Sequence, residues 1–257
     1  MGHIRLGQLP KTKPWKRVFE ALDLPGVDGA RVAAATASAA GDRFEALKSD
    51  PTLQQVVWLL VRVGTAAEGD DFTRDLAALG LDPRRASSGI GLVAEVARAA
   101  RTAAPPEGVL AELALKSVQH VLAERVVEQS RSLFGTTLDD VRAAAAKFGT
   151  KDGFADITTD FFGDFTARTV RFLAEKELSN HVGPRDAVRT LEDAASLVRD
   201  IDRYCAESAE IVREFAGGWY SKANWKSERA IDRDEAERFL AYALTKMRAE
   251  VERGGRR

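Results

Sequence analysis

The chain has a single cysteine, Cys205, among its 257 residues, so no disulfide can form within it, and a lone reduced thiol fits a cytoplasmic location. Long apolar runs are missing as well. The densest, at 56–61, ends at Arg62 and falls far short of the roughly eighteen residues that span a bilayer, so no membrane role is expected. Charge of one sign is not in excess: 38 basic residues stand against 39 acidic ones, and no global field draws the molecule toward nucleic acid or anionic lipid. Sustained two-residue alternation of apolar and polar side chains, the mark of a half-buried strand, is absent too. So are the sequences of common catalytic sites. There is no Gly-x-Ser-x-Gly elbow and no Gly-Lys-Ser or Gly-Lys-Thr phosphate loop, and Gly89-Ile90-Gly91 lacks the further glycine of a dinucleotide loop.

What is present is helical. Hydrophobic residues at 45% and charged residues at 30% are the proportions of a folded globular chain. Pro14, at the favoured first position, opens a helix through Trp15, Val18, Phe19 and Leu22. Further helices are expected at about 30–47 and from Asp50-Pro51 through Leu53, Val56, Val57, Leu60 and Val61. Shorter ones follow at 72–79 and 87–103, then longer ones at 108–134, 137–148 and 152–181, the last lined by Phe154, Ile157, Phe161, Phe165 and Phe172. A helix at 185–216 carries Leu191, Val198, Cys205 and Val212 at seven-residue spacing. The final one starts with Asp232 and Glu235 in capping-box spacing. The expected fold is therefore all-α, an irregular multi-helix bundle of about nine or ten helices with no sheet. It forms a single domain over 1–257, with a possible subdomain break near 104–108, a basic N-terminal arm at 1–13 and a short basic tail at 253–257.

Four features bear on function. Residues 217–226 are read as a connection in which Gly217-Gly218 stop one helix and Trp219, Tyr220, Lys222, Asn224, Trp225 and Lys226 either pack back on the core or anchor a partner. The arm and the start of the first helix, residues 1–17, hold Arg5, Lys11, Lys13, Trp15, Lys16 and Arg17 with no acidic group. Joined to the first segment, this stretch would make a positive aromatic patch for nucleic acid; alone, it is a solvated terminus. Asp152, Asp156, Asp160 and Asp164, each four residues after the last, form one helical stripe. Their mutual repulsion is about 1 kcal/mol over three pairs, too little to demand a metal, and Asp164 has Arg168 one turn on. A solvated acidic face explains the stripe; a Mg²⁺ site through Asp156, Asp160 and Asp164 is the alternative. Lastly, the histidines are His3, His120 and His181, and the pairs His120/Glu124 and Glu177/His181 have a spacing unlike that of di-iron bundles or zinc proteases.

These features favour a non-enzymatic interaction or scaffold subunit of a bacterial multiprotein system, with another protein as partner and no cofactor. One alternative is a nucleic-acid-binding accessory protein using the arm and the Trp219 to Lys226 segment. The other is a metal-dependent hydrolase using the aspartate stripe, with Glu207 or Glu210 from the next helix.

Overall fold

The computed structural model describes residues 12–24, 26–127, 137–178, 188 and 190–254. Every regular element among them is helical: α1 (Lys13–Asp23), α2 (Gly29–Ala39), α3 (Gly41–Leu47), α4 (Pro51–Glu68), α5 (Phe72–Ala78), α6 (Gly89–Ala103), α7 (Val109–Leu122), α8 (Leu138–Ala146), α9 (Lys151–Leu178), α10 (Leu191–Ser208), α11 (Glu210–Lys226) and α12 (Arg233–Gly254). A π-helical turn, Ala123–Val127, extends α7. The all-α expectation is met, with more helices than the nine or ten foreseen. His3, Arg5, Lys11, Gly135, His181 and the end of the basic tail lie outside the described residues.

Helix starts follow local chemistry. The Asp50 carboxylate accepts from the Leu53 N–H at 2.8 Å, with Pro51 just inside. The Asp232 carboxylate accepts from the Glu235 N–H at 2.8 Å, and Thr137 and Thr190 each exchange bonds with an aspartate three residues on. Each cap satisfies a donor that the helix leaves orphaned and stabilises by roughly 1 kcal/mol. Such signals sit in contiguous residues, which is why those at Asp50, Thr137 and Asp232 were readable, whereas the Thr190 cap was not read and the helix expected from 185 has its first described turn at Leu191.

Helix breaks were less readable. The helix expected at 30–47 divides at Ala40 into α2 and α3, and the one expected at 185–216 divides at Ala209 into α10 and α11. Ala209 is no helix breaker by propensity, whereas Ala40 is followed by Gly41, a poor helix former. The second break lies against α9: a Cβ built on Gly163 of that helix would lie 3.3 Å from the Ala209 Cβ and 3.4 Å from the Ala206 Cα. The chain bends where it is pressed to α9, and both halves stay packed on that helix. The seven-residue seam is broken as well, because Leu191 is 83% exposed whereas Cys205 and Val212 are fully buried.

Residues 217–226 also depart from the expected connection. Gly217 and Gly218 do not end a helix; both lie inside α11, which continues to Lys226. The left-handed residues come afterwards, as Glu228 (φ 50°) and Arg229 (φ 69°), and the Arg229 N–H returns to the Asn224 carbonyl at 2.8 Å. This turn joins α11 to α12 and is held on α4, because Arg62 Nη1 donates to the Arg229 carbonyl at 3.0 Å and Arg229 pairs with Glu68.

The core centres on α9, which packs against α2, α7, α10 and α11 and buries Phe154, Ile157, Phe161, Phe162 and Phe165 completely. Each such phenylalanine contributes about 1.5–3 kcal/mol on leaving water. The phenylalanine-rich stretch therefore marks the centre, as its composition suggested, although Phe172 is only half-buried. The second buried helix is α4, whose Leu53, Val56, Val57, Leu60 and Val61 are all inside. One hydrophobic cluster includes residues from both sides of 104–108, and Thr52 of α4 donates to the Ala104 carbonyl at 3.0 Å.

Candidate functional site

Two regions gather the residues singled out by sequence: the outer side of α11 with its neighbour α12, and a charged groove along α9.

On α11 the six expected contact residues separate into two sets. The Trp219 ring stacks on Phe239 of α12 at 4.3 Å between centroids, and its Nε1 donates to Glu235 at 3.3 Å. Tyr220 is buried; its ring stacks on Phe154 at 4.3 Å, and its hydroxyl shares a 2.9 Å hydrogen bond with Thr65 of α4. Burial pushes the Tyr220 phenol above its usual range, while the Thr65 bond pulls the other way. These two rings therefore attach α11 to α9, α12 and α4, and Asn224 is half-buried beside them. Lys222, Trp225 and Lys226 face water, with Trp225 83% exposed. The separation follows helical period: Ala216, Tyr220 and Ala223 share the inner face, and Gly218, Lys222 and Trp225 the outer.

The basic arm does not join this face through its described residues. Trp15 is 4% exposed, with Arg43 stacked 5.9 Å from its ring, while Lys13, Lys16 and Arg17 are exposed. Arg17 shares a groove with Arg31 and Glu252, near the end of α12, whereas Trp219 meets Glu235 near its start. Those two points are about 25 Å apart along the helix.

The aspartate stripe has a different fate from the solvated face expected of it. Asp152 is exposed, but Asp156, Asp160 and Asp164 are each half-buried and paired. Arg213 of α11 pairs with Asp156, and Arg125 of the π turn donates to Asp160 at 2.7 Å and reaches within 4.0 Å of Asp156. Arg168 donates to Asp164 at 2.5 Å, as their spacing suggested. The Arg125 and Arg213 pairings left no signal in the sequence, because each guanidinium arrives from another element.

Beside these pairs a groove of about 480 Å³ runs between α7, α9 and α10, lined among others by His120, Glu124, Asp164, Arg171, Asp202 and Glu210. His120 Nε2 lies 3.7 Å from a carboxylate oxygen of Glu124 and 3.7 Å from one of Asp164. Arg171 holds Asp202 at 3.1 Å. Burial raises the Asp202 carboxyl above its usual range, against the pull of Arg171. Glu210 is paired with Arg213 at 2.7 Å, and Glu207 is exposed on the outside of α10. Among the described residues no group of three or more His, Cys, Asp or Glu side chains is placed to hold a metal ion. Cys205, next to Asp202 in space, is fully buried, and its thiol is pushed up to about 12, chiefly by burial. A thiol in that state is protonated and unreactive.

Among the described residues no helix is long and apolar enough to cross a membrane. No protein-family model, curated protein or solved structure matches this chain.

Proposed function

We propose that the chain is a non-enzymatic interaction subunit, one irregular multi-helix bundle forming a single domain, that docks another protein on the outer side of α11. The reading is carried by Trp225. An indole that remains in water forgoes roughly 2–3 kcal/mol of burial free energy, and tryptophan is the side chain most enriched among the residues that dominate protein interfaces. Trp225 also stands on a preorganised support, since Trp219 and Tyr220 hold the preceding turn and the Arg229–Glu68 and Arg62 contacts hold the following one. A rigid anchor loses little conformational entropy on docking.

A photo-crosslinking residue at position 225 tests this. One discrete protein adduct is expected in extracts of the native host, absent when the same residue stands at exposed Ile90, and Trp225→Ala should lower the mass of the native assembly. An assembly indifferent to Trp225→Ala overturns the reading.

A further inference from the structure

Resting on that reading, we infer that the partner presents an acidic polypeptide segment to α11, with carboxylates beside an apolar residue that covers Trp225. Lys222 lies one turn before Trp225 and Lys226 one turn after Lys222, so the two ammonium groups and the indole share one end of the helix. Among the described residues no carboxylate lies within ion-pairing distance of either ammonium, although Lys226 contributes to the field at Glu235. The contrast with α9 is informative. There Arg125, Arg168, Arg171 and Arg213 are each paired with a carboxylate inside the molecule. Among the described residues the α11 lysines have no ion-pair partner, and complementary carboxylates across an interface would set its register and speed its formation.

One turn before Lys222, a Cβ built on Gly218 meets nothing within 4 Å, which leaves a notch where partner backbone can approach, in a hollow also lined by Lys151, Asp152, Arg213 and Glu214. Nucleic acid fits less well, because binding of single strands uses several stacking rings along a continuous basic track. Here Trp15 is buried, Trp219 is stacked on Phe239, and Trp58 is half-buried with the Arg233 guanidinium 4.0 Å from its ring centroid. Of the four tryptophans Trp225 is the exposed one, beside two lysines, in a chain of net charge -1.

The test uses the full chain and three fluorescein-labelled probes read by anisotropy at low and physiological salt: a helical peptide with a leucine stripe flanked by glutamates, the same peptide with lysines for glutamates, and a single-stranded oligonucleotide. The glutamate peptide is expected to bind about tenfold tighter than the lysine peptide, and to lose about tenfold when Lys222→Glu and Lys226→Glu are combined. Lys116→Glu, one such charge reversal on exposed α7 surface, should leave binding unchanged, whereas Lys222→Glu or Lys226→Glu alone should weaken it. If Trp225→Ala abolishes peptide binding while the lysine reversals do not weaken it, the docking reading stands and the acidic partner is refuted. If neither change matters, or no peptide binds, both fall. Tighter binding of the oligonucleotide, sensitive to the same residues, replaces the polypeptide by nucleic acid and also overturns the inference.

Discussion

Adjacent glycines inside α11 provide a sharp test of the structure, because alanine at one should stabilise the protein and at the other destabilise it. Gly218 is exposed, and a methyl group there meets nothing within 4 Å, so Gly218→Ala collects the full helix-propensity gain of about 0.5–1 kcal/mol. For a chain of this length that raises Tm by about 1–4 °C. At Gly217 the methyl would lie 2.8 Å from the Lys151 carbonyl oxygen and 3.0 Å from the Lys151 Cγ, at the start of α9. Overpacking of this kind costs about 1–3 kcal/mol, so after the same propensity gain Gly217→Ala should lose on the order of 1 kcal/mol. Urea and thermal unfolding followed at 222 nm read both. A left-handed helix stop at Gly218 would make alanine there destabilising by about 1 kcal/mol. That sign, or equal effects at the two positions, refutes a continuous α11.

Further outcomes follow from other parts of the molecule. Glu228 is exposed and left-handed without being glycine, so Glu228→Gly should raise stability by up to about 1 kcal/mol in the same unfolding assay; a loss would mean that its side chain supports the turn. Glu95 is buried and accepts from Arg98 at 2.6 Å and from the Asp82 N–H at 2.9 Å, contacts that hold its carboxyl below the usual range. A lowered carboxyl stabilises fully above its unfolded value of about 4.3 and less as pH falls through the folded one. Glu95→Gln should therefore cost about 2 kcal/mol at pH 7 and have a shrinking effect below about pH 4, and a pH-independent loss would contradict this. Cys205 should resist iodoacetamide at pH 8 in the native protein and react fully once unfolded, as followed by mass spectrometry; rapid native alkylation would show that the thiol is accessible.

The two candidate regions differed in how much of them could be read beforehand. That residues 217–226 were unusual was visible in their two tryptophans and two lysines. Their division into packed and exposed sets was hidden by the assumption that Gly217-Gly218 end a helix; once α11 is continuous, ordinary period places Tyr220 inside and Trp225 outside. The α9 stripe was visible as a spacing of four. Its neutralisation by Arg125 and Arg213 was not, since those residues are remote in sequence from the aspartates they meet.

Sequence alone determined the helical class, several helix starts and the burial of the α9 phenylalanines, because caps, proline positions and apolar period act within a turn or two of chain. Tertiary structure decided the bend at Ala209, the partners of the aspartates, and which tryptophan remains in water. Those outcomes depend on the packing of one helix against another, where a missing side chain at Gly163 or a guanidinium from a different element sets the geometry over distances that local propensity does not reach.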